Sequence, residues 1–458
     1  MITCNAWAII PGADHEVEDA SVRRDEGQMS LFGYRDLLKQ NRDFRFLLIG
    51  QIVSELGDWF NNIAVLALAM HLTGSGLVVT AILLSRTVPI VIFGPLAGVI
   101  ADRFSRRTVL LGADYSRAIL ALGFLLVNSR ERMWMAYLFS CLLTAISIFF
   151  TTAKASAIPE ISSSSQLMPA NALTGSTTAI MQTLGGALGG VATQVLGYQT
   201  AFVINALSFV ASAFLIYQIQ FRNQVFASQA GMGASGLLFI RDFQEGMTFV
   251  RRHPIVLGLL LIGVGWATGG GAAQILFSIF AIDVYHAGDQ GIGILYSAAG
   301  LGIVIGATLA NWYFRNKSFA VTKWVIGISM VLTGVFYSVF SFAQMIWTGF
   351  LWIALSRVVM GINHIIGTTL LMNVVPSQFR GRTFSAKETV VIFTMVVSML
   401  LAGVGQHYMG PRSIALIAGL LTLLTGVIWL IANLAGAYKE IKDESLEEAL
   451  VSETSVSQ

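Results

Sequence analysis

Charge is what this sequence has least of. Only 12% of its 458 residues are Asp, Glu, Lys or Arg, while 55% are hydrophobic. A soluble domain spends about a quarter of its residues on those four types. With a mean hydropathy of +0.71, too little polar surface exists for water to cover, so the remainder must face lipid. Cysteine is nearly absent. Cys4 and Cys141 stand far apart, which excludes a disulfide framework and any metal-ligand spacing. No clustered His, Cys or carboxylate set suits metal catalysis. No Gly-x-x-x-x-Gly-Lys-Ser/Thr loop is present, so nucleotide is not hydrolysed by that route. Gly300-Leu-Gly302 follows no strand and reads as helix packing. The start lacks a signal peptide's basic residues and apolar core. It carries Asp14, Glu16, Glu18, Asp19, Asp25 and Glu26 instead, and reads as a disordered cytosolic tail. Met29 opens a more usual-looking beginning, MSLFGYRDLLKQNRDFRFLL, and is a second candidate start.

What the sequence has is apolar runs. A bilayer core takes roughly 20 apolar residues per helix. Such runs stand near 44–71, 76–100, 108–128, 133–157, 172–196 and 200–220, and resume near 255–283, 291–314, 321–342, 346–372, 384–408 and 413–436. The expectation is an all-α integral membrane protein with twelve transmembrane helices in two pseudo-symmetric six-helix halves. Residues 1–43 form a cytoplasmic segment, whose 31–43 stretch reads equally as an interfacial helix or a plain linker. The bundles are 44–220 and 254–436. A central cytoplasmic loop, 221–253, divides them, and 437–458 is a polar cytoplasmic tail. Basic residues crowd one side: Arg103, Arg106, Arg107, Arg222, Arg241, Arg251, Arg252, Arg315, Lys317, Lys323, Arg380, Arg382 and Lys387, with Arg35, Lys39, Arg42 and Arg45 near the start. The other side has only Arg130, Arg132 and Arg412. Basic loops resist translocation, so both termini are expected in the cytoplasm of a multi-pass cell-membrane protein. Lys154 alone serves the turn after span four. Spans two and eight each show glycines four apart, Gly94/Gly98 and Gly302/Gly306, and spans four and ten each end near a proline, Pro159 and Pro376. A duplicated six-span unit, a known transporter plan, fits this.

One cytoplasmic turn is distinctive. Gly98-Val-Ile-Ala-Asp102-Arg103-Phe-Ser105-Arg106-Arg107 resembles the signature loop of the major facilitator superfamily, with Ser105 where Gly is usual. Asn41 to Arg45, Ser54-Glu-Leu-Gly57-Asp58, Ala157-Ile-Pro159-Glu160 with Ala170-Asn171, and Pro376 to Arg382 resemble the drug-exporter branch that includes macrolide-efflux and enterobactin-exporter-like proteins. The likeness runs over about 40–435. Gly94 and Gly98 would let a neighbouring helix approach closely. Asp102 ends a helix, where the dipole disfavours an anion, and needs Arg103, Arg106, Arg107 or another helix's N-terminus to compensate. The resemblance implies the start of span eleven, near Phe384, as a latch between the halves. The plain alternative is a charge cluster that only sets orientation. Gly185-Gly186-Ala-Leu-Gly189-Gly190 is similar to the superfamily's antiporter motif, with Gly186 in place of Pro. These glycines read equally as tight packing alone.

Ionisable residues inside the membrane are costly and functional by default. Glu55 and Asp58 share one face of span one, and Arg86 lies mid-span in two. A carboxyl group in low dielectric favours its neutral form, so Asp58, then Glu55, are proton-coupling candidates, with Arg86 as a switching partner. A permanent pair with Arg86 would instead be structural. Asp114 and Arg117 are expected to complete the cytoplasmic charge network. Glu388 reads as interfacial beside Lys387 or as a transport residue. Arg357 with Gly361 loosely resembles a proton-coupling pattern, but in span ten rather than four, so the role is not carried over. The resemblance implies a cavity lined by spans one, four, seven and ten. Trp59, Asn62, Gln182, Trp266, Gln274, Asn363 and His364 are its candidates, or else helix–helix glue.

Together these imply a secondary active transporter, not an enzyme: a proton-coupled exporter, or antiporter, of drugs or other lipophilic small molecules by alternating access. It would need no cofactor beyond the proton gradient. Its partners would be a lipophilic small molecule and the bilayer, without nucleic acid, and the chain would act as a monomer. A uniporter or a lipid, siderophore or metabolite transporter on the same fold is the alternative. A non-transporting receptor or enzyme would require polar catalytic clusters at one face.

Overall fold

The computed structural model describes residues 33–221, 235–314 and 317–438. The expected N-terminal tail, most of the central loop and the C-terminal tail lie outside them. The described chain is helical, with no strand. Ten helices are long and apolar enough to cross a membrane. One of these, Leu167–Tyr217, has 51 residues and breaks at Gly197 (φ 79°, ψ 158°), a left-handed conformation that favours glycine. It therefore makes two crossings. Arg42–Thr73, at 32 residues, is long enough for another. Glu55, Asp58, Asn61 and Asn62 lower its hydropathy. Ten plus one plus one gives twelve crossings among the described residues.

In chain order these are α1 (Arg42–Thr73), α2 (Gly76–Arg103), α3 (Arg106–Gly123), α4 (Met133–Ile161), α5 (167–196), α6 (198–217), α7 (Pro254–Ile279), α8 (Gly288–Leu309), α9 (Phe319–Phe340), α10 (Ile346–Val374), α11 (Ser377–Gly405) and α12 (Pro411–Leu434). A connecting helix, Ser235–Arg252, joins the halves and lies against α11, where Arg382 pairs with Glu245 at 2.6 Å.

Local chemistry sets the helix ends. Asn41 caps α1 by accepting from Phe44 N at 2.9 Å. Its amide also donates to Ile161 O at 2.7 Å, tying α1 to the end of α4. Ser105 caps α3 through Thr108 N, so the residue that departs from the superfamily pattern has a structural use. Gly74, at φ 60°, closes α1 in the left-handed region.

One face of the molecule carries both ends of the described chain and the connecting helix. We call it the terminal face, and its opposite the distal face. On the distal side a single apolar core draws on both halves, from Ile63–Met70 of α1 and Phe202 of α6 to Phe277 of α7 and Leu295 of α8. On the terminal side each half has its own core: Phe44, Leu110 and Phe150 in one, and Val256, Met330 and Leu371 in the other. Among the described residues the halves thus share one core distally, and each has its own core near the terminal face.

The joint is built from small residues. The α5 motif has two faces. Gly185 and Gly189 lie against Trp59 of α1, within the first half. Gly186 and Gly190 lie against α8 of the second half, and a methyl on Gly190 would stand 2.8 Å from the Gly293 Cα. The reverse contact puts Gly300 on Thr183. Gln194 accepts from Gln290 N at 3.1 Å, and His71 meets Asp289 at 2.9 Å across the same distal seam. A side chain at Gly94 would meet nothing within 4 Å among the described residues, and the surround of its partner Gly98 lies outside them. Gly94 lies in the terminal half of α2, away from the distal joint. Gly302 and Gly306 do make the expected approach, against Ala354 to Gly361 of α10.

Candidate functional site

Within the first half, ion pairs step inward from the terminal face. Arg106 meets Glu160 of α4 at 3.2 Å, both nearly buried. Arg107 donates to Tyr217 O at 2.6 Å and lies over that ring. These two basic residues of the signature loop thus engage their own half. The side chains of Gly98's neighbours Asp102 and Arg103 lie outside the described residues, as does the surround of Gly98, so the α11 latch is untested. Deeper in, Lys154 approaches Glu55 Oε1 at 3.9 Å. Gln51 and Thr178 both donate to that same oxygen, at 2.9 and 3.0 Å. Asp114 and Arg117 pair in the interior, at 0% and 3% exposure. Arg117 is sandwiched between Phe150 and Phe209, at 4.0 and 4.4 Å from the ring centroids. This pair belongs to the interior and not, as expected, to the loop.

At the end of that series stand Asp58 and Arg86. They line one cavity of about 280 Å³ with Trp59, Asn61, Asn62, Leu143, Thr144 and Ser147. They do not pair with each other: no ion pair of either within 4.0 Å occurs among the described residues. Arg86 instead donates to Asn62 Oδ1. Asp58 lies within electrostatic reach of Arg117, Glu55, Arg86 and Asp114. Tyr296 of α8 approaches Trp59 from the other half. It stands tilted to Trp59 at 5.9 Å, lies within electrostatic reach of Arg86, and donates to Gln274 O at 3.1 Å.

The second half holds a cavity of about 310 Å³, lined by Trp266, Met330, Met360, Asn363, His364, Lys387 and Glu388 among others. It is mainly apolar. Asn363 lines it but spends its amide on Ile326 O and Ser329 Oγ of α9, at 2.8 and 2.9 Å, and so is helix glue as well. Glu388 is half-exposed and 3.4 Å from Lys387. Gln274 sits in the distal core, its amide near Met395 Sδ at 3.9 Å. Gln182 is half-buried on α5. Arg357 is buried between α8 and α10, with Met360 Sδ at 3.2 Å from its guanidinium.

Sequence reasoning placed Asp58, Arg86, Asn62 and Trp59, which the fold brings to one cavity. It missed Lys154, Gln51, Asn61 and Tyr296. Lys154 was counted as a loop residue, yet apolar Ala157 and Ile158 follow it. That continuation is the signal that places a charge inside a helix.

Twelve crossings in two halves, a distal joint and a charged central cavity define a transporter of the major facilitator type. A family model described as "Transmembrane secretion effector" matches residues 38–456, and the chain belongs to that family. The chain is similar to the Putative bacilysin exporter BacE of Bacillus subtilis, 24% identical over 88% of this chain and 97% of that one. It is also similar to Macrolide efflux protein A of Streptococcus pyogenes, 22% identical over 84% and 94%. In fold it matches the crystal structure of a bacterial homologue of the iron transporter ferroportin in its inward-facing state. The TM-score is 0.65 at 14% identity, covering 85% of this chain and 98% of that one.

Proposed function

We propose that this transporter is a proton-coupled exporter of small organic molecules, with Asp58 as the carboxylate that exchanges a proton for substrate. The observation that carries this is that Asp58 has no ion pair among the described residues. Its neighbours Glu55 and Asp114 are matched by Lys154 and Arg117. Asp58 alone faces the cavity without a partner among the described residues. A buried carboxylate without an ion-pair partner is costly when ionised. A bound proton or a bound cationic group each removes that cost, and exchanging one for the other is what a proton carrier does.

The terminal face is the cytoplasmic one on this reading. It carries Arg106, Arg107, Arg251, Arg252, Lys317, Arg380 and Arg382, against Arg130, Arg132 and Arg412 at the distal face. The distal joint then makes this an inward-open state of a cell-membrane protein. Substrate enters from the cytoplasm or inner leaflet, and the halves rock to expose it outside. The apolar cavity lined by α7 to α11, with Trp266, Met330 and Met360, receives the lipophilic body. Efflux by the named relatives agrees with export.

The test is proton movement in energised inverted vesicles carrying the wild type or Asp58→Asn. Compounds that collapse the pH gradient in wild type should fail to do so in the variant, by tenfold or more in rate. Substrate flux that is pH-independent and equal in both would replace the exchanger with a uniporter.

A further inference from the structure

The cavity between α1, α2 and α4 holds one charge of each sign without an ion pair among the described residues. The charge count around it is balanced: carboxylates Glu55, Asp58 and Asp114 face cations Lys154, Arg117 and Arg86. Geometry pairs Lys154 with Glu55 and Arg117 with Asp114. What remains is Asp58 and Arg86, which share a cavity wall and yet stay apart. Asn62 Oδ1 accepts one guanidinium N–H of Arg86, while a guanidinium has five to give. Asn61 lines the same cavity with its Oδ1 buried and unpartnered among the described residues. The cavity thus offers a carboxylate with a spare carbonyl acceptor, and a guanidinium with spare donors.

We propose that the exported molecule carries a zwitterionic head of the amino-acid or short-peptide kind. Its ammonium binds Asp58 with Asn61, and its carboxylate binds Arg86. A lone cation would satisfy Asp58 and leave Arg86 unmatched. A lone anion would leave Asp58 unmatched. A zwitterion satisfies both at once, and Arg suits a carboxylate because its planar fork makes two parallel hydrogen bonds. At about 280 Å³ the cavity is at the small end of ligand pockets, which run from about 300 Å³ upward. That suits a compact head, with any lipophilic body reaching toward the second half, where Tyr296 and Trp59 meet.

The proposal rests on the reading of Asp58 as the exchanging group, and it adds a consequence that reading lacks. With its proton on, Asp58 is neutral and the cluster carries one net positive charge. When the ammonium arrives, Asp58 releases that proton and the zwitterion adds no charge. Each cycle therefore exports a neutral molecule and imports one proton, moving one net charge. A cationic substrate exchanged for one proton would move none.

Four probes of one body separate these cases: alanyl-phenylalanine, its C-terminal amide, its N-acetyl derivative and the N-acetyl amide. Each is offered to purified transporter in proteoliposomes, with pH gradient and membrane potential imposed independently. The expected result is gradient collapse by the free dipeptide at least tenfold faster than by any blocked form, and acceleration by potential alone. Arg86→Gln should erase the preference for the free acid over the amide, and Arg86→Lys should restore part of it. Collapse by the amide or by lipophilic amines at rates equal to or above the dipeptide's, without response to potential, would overturn the zwitterion. Labelled dipeptide that enters without proton movement would support the zwitterion and defeat the coupling role of Asp58. Absence of any dipeptide transport or binding, alongside collapse by lipophilic amines, would defeat the zwitterion and leave the coupling intact.

Discussion

Asp114 and Asp58 are both acidic residues inside a membrane bundle, and their surroundings give them opposite work. Asp114 is fully buried, paired with Arg117, and Arg117 is clamped between two phenyl rings. Removing one partner of a buried pair strands the other, at a cost of about 3–5 kcal/mol. Asp114→Asn should therefore lower the melting temperature of the detergent-purified protein clearly. Glu55→Gln should lower it less, because the Glu55 side chain keeps 21% exposure and its amide replacement still accepts from Thr178 and Gln51. Differential scanning fluorimetry of the two variants checks this, and equal losses would remove the distinction. The difference is half legible in sequence. The i,i+3 spacing of Asp114 and Arg117 predicts a pair. Nothing in the spacing says that Phe150 and Phe209, from other helices, enclose it. Likewise Asp58 and Arg86 are conspicuous as charges in apolar runs, whereas that they share a cavity depends on how α1, α2 and α4 pack.

Helices α5 and α8 show how one sequence motif serves two contacts. A 3.6-residue repeat sends Gly185 and Gly189 to one side and Gly186 and Gly190 a further 100° round. The first pair accepts α1, and the second accepts the other half of the molecule. The substitution of Gly186 for the superfamily's proline keeps the close approach that contact needs, with Ser297 Oγ at 3.3 Å from a built methyl. Gly190→Val should prevent distal closure, because its methyls would meet the backbone of Gly293, which cannot rotate away. Gly175→Ala on the same helix is the control, since its methyl would meet nothing within 4 Å among the described residues. Transport by Gly190→Val is expected to fall at least tenfold with normal membrane insertion, and Gly175→Ala to stay near wild type. Apolar periodicity made the helices, their order and the glycine motif readable in advance. It could not say which glycines bridge the halves, because that depends on the approach of a helix about a hundred residues away.

The whole molecule alternates only if the distal seam is strong enough to hold and weak enough to part. Its glycine contacts supply close packing, and its polar links are few: His71 to Asp289 and Gln194 to the Gln290 amide. The His71 side chain is 56% exposed, so its link to Asp289 is a surface contact worth at most about 1 kcal/mol. That is enough to tilt a two-state equilibrium about fivefold and too little to lock it. Asp289→Ala should therefore raise the population open at the distal face by a few-fold without unfolding the protein. Spin labels at Val195, 73% exposed at the distal end of α5, and Tyr408, 84% exposed at the distal turn after α11, report the seam from both halves. In a cysteine-free background their distance distribution should gain a longer component in Asp289→Ala. His71→Ala should match it, and the double variant should add nothing, since both remove the same link. Additive gains in the double variant would mean that each residue holds the seam through another contact.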